Sequence, residues 1–280
     1  MPAKPSLLEA GAEARPKLAV YKFTSCDGCQ LSILNLEEKL LDLVGAVEVA
    51  FFLEARRRVL PPPYDIGLVE GSISTQEEEA RIRQVRLDCR FLVTIGACAT
   101  SGGIQALRNW ADIREYESAV YPGPAHIRPL ETSTAIASHV FVDFELRGCP
   151  INQEQVLELV AAMLTGRRPN VPTYSVCMEC KRLGYPCVLV SRGMPCLGPI
   201  TQTGCGALCP SVSRACYGCY GPMEQPNIES LGAWFTRLGF QPRDIQRMLR
   251  NFNGYLEPFK QASDRYERRE EQERSRPRRP

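Results

Sequence analysis

The segment between Cys177 and Cys219 holds eight of the thirteen cysteines of this 280-residue chain. A CxxC pair opens the segment and a second CxxC pair closes it. The eight thiols belong to Cys177, Cys180, Cys187, Cys196, Cys205, Cys209, Cys216 and Cys219. Glycine and proline fill the intervals, which is typical of loops. Such a segment has little apolar surface to offset its own ordering entropy, so we expect a bound centre to stabilise it.

Cysteines in such a segment can form disulfides in pairs, or bind zinc or an iron–sulfur cluster in sets of four. Disulfides suit small secreted domains, and neither the chain length nor the odd number of cysteines favours them. Structural zinc is often held by four cysteines with CxxC ends. Iron–sulfur clusters use the same four thiolate ligands. We favour iron–sulfur clusters, although the segment taken alone leaves zinc open.

Charge and hydropathy exclude several classes of function. The net charge is +2 with both signs dispersed along the chain, which argues against a nucleic-acid partner. No apolar run is long enough for a membrane span. Residues 1–16 lack the apolar core of an export signal and a twin-arginine pair, so they are interpreted as a flexible leader. These features predict a cytoplasmic protein.

The first half of the chain alternates short apolar runs with helix-like stretches. The candidate strands are Leu18–Phe23, Val47–Phe52, Asp65–Glu70, Phe91–Ile95 and Val140–Phe144. This alternation predicts an α/β fold with a doubly wound, mainly parallel sheet, and five strands suit a flavodoxin-like order. Between the first two strands, Leu31, Leu34, Leu41 and Val44 predict one helix face. Thr75 and Glu78 are spaced as a capping box that opens another helix.

The pattern changes twice in the second half. An amphipathic helix with Val156, Val160 and Met163 on one face ends the predicted flavodoxin-like domain, which spans residues 17–168. Residues 169–259 are predicted to form a second, mostly irregular iron–sulfur domain. Residues 260–280 are highly charged, and we expect them to form a disordered tail.

Four further cysteines follow the predicted strands. Cys26 and Cys29 come after the first strand, Cys98 after the fourth and Cys149 after the fifth. The carboxyl ends of strands in an open α/β sheet share one crevice, so these thiols are predicted to converge there. Cys89 has no such setting and is interpreted as a plain buried thiol late in a helix. Twelve ligands in three sets indicate a chain of redox centres, since three zinc sites would supply only rigidity.

Short motifs now carry a resemblance to a known family. They are CDGC at 26–29, EGSI at 70–73, GACATSGG at 96–103, GCP at 148–150, PCLGPIT at 195–201 and CYGC at 216–219. In these motifs, between about Lys17 and Pro222, the chain resembles the small subunit of nickel–iron hydrogenases. The resemblance implies three 4Fe-4S clusters and a separate large subunit that contains the nickel–iron centre.

The same resemblance implies which cysteines serve which cluster. The proximal cluster, nearest the large subunit, would use Cys26, Cys29, Cys98 and Cys149. The distal cluster would use Cys177, Cys180, Cys187 and Cys196, and the medial cluster Cys205, Cys209, Cys216 and Cys219. Glu70, at the end of the third strand, is interpreted either as a group that tunes the proximal cluster or assists proton movement, or as a satisfied strand-end carboxylate.

Departures from the exported members of the family favour its cytoplasmic groups. Those members usually have histidine where this chain has Cys177, and often proline in place of a medial cysteine such as Cys209. The implied partners are flavin- and iron–sulfur-containing subunits that reduce NAD(P). In some groups the partner is instead coenzyme F420 or a heterodisulfide reductase. The stretch GGIQALR at 102–108 is similar to the NADP-linked, sulfhydrogenase-type branch. The alternative is a complex-I-like iron–sulfur subunit that does not act on hydrogen, which shares only the first domain.

Overall fold

The computed structural model describes residues 15–121, 123 and 128–275. The chain divides into two compact units, with the boundary between Val171 and Pro172. This boundary lies three residues beyond the one expected from the sequence, at 168–169. Residues 1–14 of the leader lie outside the described residues.

The first unit is built on a five-stranded parallel sheet. The strands of the unit are β1 (Lys17–Lys22), β2 (Glu48–Phe52), β3 (Tyr64–Glu70), β4 (Ile73–Thr75), β5 (Cys89–Ile95), β6 (Pro129–Thr134) and β7 (Phe144–Leu146). The order in the sheet is β2-β1-β3-β5-β7, and all of its pairs are parallel. This is the flavodoxin-like order. The α/β prediction is confirmed, although the last strand begins at Phe144, where the predicted strand ended.

Helices cover the sheet. Those of the first unit are α1 (Gly28–Leu34), α2 (Glu38–Ala46), α3 (Gln76–Asp88), α4 (Gly96–Ser101), α5 (Ile113–Val120) and α6 (Gln153–Leu164), with a 3-10 helix at Gly103–Trp110. The capping box at Thr75 and Glu78 is present at the start of α3. One apolar cluster contains residues of α1, α2 and α6, and a second contains Ile82 and Val85 of α3. Each cluster also includes strand residues, which is the layering expected of a doubly wound fold.

The helix face predicted from Leu31 to Val44 is wrong. The chain forms two helices, α1 and α2, with a break between them at residues 35–37. Leu31 is 52% exposed and Leu41 is 70% exposed, whereas Ile33 and Leu43 are buried. The apolar spacing was read across a break that resets the helical phase, so it selected the wrong face.

The second unit begins with short elements and ends with longer helices. These are α7 (Val176–Arg182), α8 (Val188–Arg192), α9 (Leu208–Ser211), α10 (Ile228–Arg237), α11 (Pro242–Leu249) and α12 (Phe259–Ser275). Residues 172–227 are mostly irregular, as the sequence predicted. No helix in the described part of the chain is both long and apolar enough to cross a membrane.

The expected disorder of the tail is also wrong, because α12 runs from Phe259 to Ser275. Phe259, Ala262 and Tyr266 are buried and belong to one apolar cluster with Phe235 of α10. Their spacing of three and four residues places them on one helix face. Because residues 260–280 are so highly charged, their composition did not indicate this apolar helix face. Residues 276–280 lie outside the described part.

Candidate metal centres

Four cysteines of the first unit lie where parallel strands end. Cys26 follows β1 and Cys29 lies in the first turn of α1, while Cys98 lies within α4, directly after β5. Cys149 follows β7, and the N–H of Ala97 donates to the carbonyl of Gly148 at 2.7 Å. That bond ties the Cys98 segment to the Cys149 segment. The structure thus brings these segments to the crevice that the topology predicted.

The four thiols influence one another electrostatically. Burial raises the pKa of Cys29, and the charges of Glu70, Cys98 and Cys149 raise it further. Burial likewise raises the pKa of Cys98 to about 11, and the charges of Cys149 and Cys26 act in the same direction. With their pKa values raised, the thiols of Cys29 and Cys98 stay protonated at neutral pH unless a positive centre compensates the charge of the thiolate. A metal centre supplies that charge and keeps coordinating thiols deprotonated.

Two glycines leave room beside the sulfur atoms. Gly96 has φ +85°, and a Cβ added to it would lie 2.3 Å from Sγ of Cys29. Gly103 has φ +62°, and its Cβ would lie 2.7 Å from Sγ of Cys98. Both backbone conformations suit glycine, and both positions let the main chain approach a thiol more closely than any side chain would allow. This close approach fits a bulky centre held by the two sulfur atoms.

Glu70 is satisfied by the helix that carries Cys29. Its side chain is 2% exposed and accepts hydrogen bonds from the N–H groups of Cys29, at 3.0 Å, and Gln30, at 3.3 Å. Burial raises the pKa of Glu70, and these two donors oppose the shift. A carboxylate from β3 therefore caps α1 and fixes the position of Cys29.

Gln105 is a site residue that the sequence reasoning missed. Its Nε2 donates to the carbonyl of Thr24 at 3.0 Å, and its buried Oε1 has no hydrogen-bond partner among the residues that the structure describes. The point where a Cβ on Gly103 would lie is 2.7 Å from Sγ of Cys98 and 2.9 Å from that Oε1. The amide therefore faces the same small space as the sulfur. Gln105 lies in the motif GGIQALR, which resembles the sulfhydrogenase-type branch, but the motif does not give the direction of its side chain. Only the packing shows that the side chain turns towards Cys98.

In the second unit, four cysteines line one small apolar cavity. They are Cys177, Cys180, Cys187 and Cys196. Burial raises the pKa of Cys177 to about 11, and the charges of Cys196, Cys187 and Cys180 add to the shift. A Cβ on Gly198 would lie 3.3 Å from Sγ of Cys196 and 3.6 Å from Sγ of Cys177. The structure thus brings together the set that the resemblance assigned to one cluster.

The last four cysteines are brought together as two pairs. Burial raises the pKa of Cys209, with Cys205 as the next contribution. Burial also raises the pKa of Cys216, and the charges of Cys196 and Cys219 contribute in the same direction. The N–H of Cys216 donates to Sγ of Cys196 at 3.2 Å. The set that contains Cys216 is therefore in contact with the set that contains Cys196.

Cys89 lies apart from these sets, as predicted, although its position differs. It is 4% exposed and is the first residue of β5 rather than the end of α3. Burial raises its pKa to about 12. Its sulfur packs towards Gly67, where an added Cβ would lie 2.4 Å away. A neutral thiol in such packing behaves as a small apolar side chain.

The donor sets fit iron–sulfur clusters by their chemistry. Among the described residues, no three His, Cys, Asp or Glu side chains converge closely enough to hold a single metal ion. Cysteine thiolates around an apolar cavity, with glycines beside the sulfur atoms, are the setting in which four-cysteine clusters are held. Peptide N–H groups such as that of Cys216 supply hydrogen bonds to the sulfur atoms, which orient the ligands.

Comparison with known proteins agrees with this reading. Residues 26–163 match the family model described as NADH ubiquinone oxidoreductase, 20 Kd subunit. The chain is 35% identical to sulfhydrogenase 2 subunit delta of Pyrococcus furiosus over 84% of its own length and 98% of that protein. The chain belongs to the family of nickel–iron hydrogenase small subunits. The match to the hydrogenase relative extends well beyond the domain shared with the oxidoreductase family, which disfavours the complex-I-like alternative.

Other small subunits show the same relationship. The chain is 28% identical to the delta subunit of the NAD-reducing hydrogenase HoxS of Cupriavidus necator, over 62% of this chain and 91% of that protein. A crystal structure of an NAD⁺-reducing [NiFe]-hydrogenase in the H₂-reduced state aligns with a TM-score of 0.53 and 27% identity, covering 56% of this chain and 96% of that one. An Ni-Fe-Se hydrogenase from Desulfomicrobium baculatum, at 16% identity and a TM-score of 0.53, shows the fold alone.

Proposed function

We propose that this hydrogenase small subunit holds three 4Fe-4S clusters and conducts electrons between a nickel–iron large subunit and a flavin-bearing partner. The cavity lined by Cys177, Cys180, Cys187 and Cys196 is the observation that carries the proposal. Four-cysteine clusters supply one-electron transfer at potentials that their surroundings tune. The identity to a sulfhydrogenase subunit across most of both chains supports the assignment.

Each cysteine set has its own role in this proposal. The chain would exchange electrons with the large subunit at Cys26, Cys29, Cys98 and Cys149. It would relay them at Cys205, Cys209, Cys216 and Cys219, and exchange them with the flavin partner at Cys177, Cys180, Cys187 and Cys196. Hydrogen itself would react in the large subunit, so this chain contributes no bond-making residue.

Residues around the ligands keep each site ready for its metal. Glu70 holds the first turn of α1, so that Cys29 stays in place before a metal centre binds. The buried Cys216 N–H donates to Cys196 and offsets negative charge on that sulfur. Burial of Cys29 and Cys196 keeps water from these sulfur atoms. A preorganised ligand shell of this kind tunes both metal affinity and reduction potential.

The proposed partners and location follow from the relatives. Their names include sulfhydrogenase, F420-non-reducing and NAD-reducing hydrogenase subunits. We therefore assign this chain to a complex with a nickel–iron large subunit and iron–sulfur or flavin subunits that reduce NAD(P). Reduction of NAD(P) would draw on the cytoplasmic pool of that cofactor, which supports our proposal that the complex works in the cytoplasm.

Anaerobic purification of the complex tests the proposal directly. Iron, nickel and zinc are counted in the same sample, and hydrogen-dependent reduction of benzyl viologen is measured. We expect iron in this chain, nickel in the large subunit and dye reduction under hydrogen. Iron without nickel or hydrogen uptake would instead indicate a complex-I-like subunit, and zinc without iron would indicate a structural scaffold.

A further inference from the structure

The segment between Lys181 and Arg192 concentrates positive charge on the surface of the second unit. Its sequence, KRLGYPCVLVSR, contains three cationic side chains and no aspartate or glutamate, in a chain whose net charge is only +2. Lys181, Arg182 and Arg192 are all exposed. We call residues 181–192 the basic cap.

The basic cap contributes directly to the cavity with four cysteines. Cys187 lies in its middle, lines the cavity and is exposed. Val188 also lines the cavity and is 4% exposed, so it anchors the cap to the body of the unit. The surface of the cap therefore lies over the ligands, and a centre in that cavity is separated from solvent by little more than the cap itself.

Apolar side chains stand among the charges. Leu183 is 51% exposed and Val190 is 75% exposed, on either side of Cys187. The guanidinium of Arg182 lies 6.0 Å from the ring centroid of Tyr174, which restrains one of the cations. Exposed apolar side chains within a rim of one charge are typical of a protein-docking surface.

We propose that the basic cap docks an acidic protein carrying a flavin or an iron–sulfur centre, which exchanges electrons with the set Cys177, Cys180, Cys187 and Cys196. The inference rests on the proposed function and adds the charge of the partner and the residues that receive it. Like charges repel and opposite charges steer, so an acidic surface is guided to the cap and its apolar centre covers Leu183 and Val190.

The test uses the complex of this chain with its large subunit and a small acidic ferredoxin as the probe. Photoreduced ferredoxin supplies electrons, and hydrogen evolution is followed. Two one-electron-reduced ferredoxins are oxidised for every two protons that become one hydrogen molecule. The variant K181E/R182E reverses the cap. The matched control, R243E/R268E, makes the same charge change at exposed arginines of α11 and α12. Reduced methyl viologen replaces ferredoxin in a parallel assay.

We expect the wild-type rate with ferredoxin to fall as salt is raised from about 20 to 300 mM, because salt screens surface charges. We expect K181E/R182E to lose at least about tenfold of that rate at low salt, while R243E/R268E stays within about twofold of the wild type. The viologen rate should not fall in either variant. Equal ferredoxin rates in the two variants, or no salt dependence, would overturn the docking proposal and leave the proposed function standing. Absence of hydrogen evolution with viologen in the wild type would overturn the proposed function and the docking proposal with it.

Discussion

The backbone N–H of Cys216 donates a hydrogen bond to Sγ of Cys196, with a distance of 3.2 Å. The carbonyl of Cys216 in turn accepts from the N–H of Leu197 at 3.0 Å. Cys196 and Cys216 are both buried, and the proposed function assigns them to different clusters. The two backbone groups of one residue, Cys216, therefore contact the adjacent residues Cys196 and Leu197 and join the two sets of ligands. Hydrogen bonds to cluster sulfur atoms stabilise the reduced, more negative state, so this contact favours reduction of the centre that Cys196 binds.

Cys26→Ser should interrupt electron delivery without abolishing the other two clusters. Oxygen is a poorer ligand for this site than a thiolate, and Cys26 belongs to the set nearest the large subunit in the proposed function. We expect hydrogen-dependent dye reduction to fall to background and about four of twelve iron atoms to be lost. Electron paramagnetic resonance of the remaining clusters checks the result. The matched control is Cys89→Ala, which should leave the iron count unchanged and lower stability by about 1 kcal/mol. Full activity of Cys26→Ser would show that Cys26 is not a ligand.

Gly103→Ala should disturb the site at Cys98. The added Cβ would lie 2.7 Å from Sγ and 2.8 Å from the Cα of Cys98, and the backbone has φ +62°. We expect loss of one cluster from the isolated complex, seen as a drop of about four iron atoms. Gly184→Ala is the matched control, since its φ is +71° and no atom lies within 4 Å of an added Cβ. It carries the same backbone strain, of roughly 1 kcal/mol, without the contact. Equal iron contents in the two variants would contradict the role of close packing at Cys98.

Glu70→Gln and Glu70→Ala should separate charge from hydrogen bonding. The carboxylate accepts from Cys29 and Gln30, and its negative charge raises the pKa of Cys29. Removing that charge in Glu70→Gln should shift the reduction potential of the nearest centre to a more positive value, because an added electron meets less repulsion. Glu70→Gln keeps one oxygen as acceptor for one of the two N–H groups, whereas Glu70→Ala leaves both without this acceptor, which destabilises by about 1–3 kcal/mol. Redox titration and thermal unfolding provide the measurements, and an unchanged potential in Glu70→Gln would refute the electrostatic argument.

Arg250→Gln should loosen the terminal helix α12. The guanidinium donates to Asp264 at 2.9 Å and to Glu267 at 2.6 Å, and its side chain is 13% exposed. The substitution removes the guanidinium from a partly buried ion-pair network in which Lys260 also pairs with Asp264 at 3.1 Å, and we expect amide hydrogen exchange in α12 to accelerate about tenfold or more. Arg268→Gln, an exposed arginine on the same helix, is the control and should change little. Equal exchange rates in the two variants would contradict the anchoring role of Arg250.

Four strands of the sheet, β1, β2, β3 and β5, were predictable because each contains a compact apolar run, whereas β7 is only the three residues Phe144–Leu146 and was placed too early. The pairing of β4 with β6 could not be predicted, because a polar contact at 2.8 Å between the hydroxyl groups of Ser74 and Ser133 joins the two strands. Such a strand has no apolar alternation for a sequence pattern to detect. The prediction of a disordered tail was wrong for the opposite reason. Phe259 and Tyr266 supply enough apolar surface to pack an otherwise charged helix against the second unit.

Much of the candidate site was predictable from spacing and topology. Strand ends gave Cys26, Cys98 and Cys149 a common crevice, and the structure brings their segments to it. The part that could not be foreseen depends on side-chain direction, as with the amide of Gln105 beside Cys98 and the carboxylate of Glu70 at the start of α1. Glu70 and Cys29 are 41 residues apart in the chain, and the direction of the Gln105 side chain depends on packing, so no local pattern encodes either contact.

The most direct measurement is the metal content of the anaerobically purified complex, divided by the amount of this chain after the iron of other subunits is subtracted. Three sets of four thiolates, each around one cluster, predict about twelve iron atoms with matching acid-labile sulfide and no stoichiometric zinc. About eight iron atoms would mean that one set of cysteines binds no cluster. Zinc in place of iron would contradict the electron-transfer account as a whole.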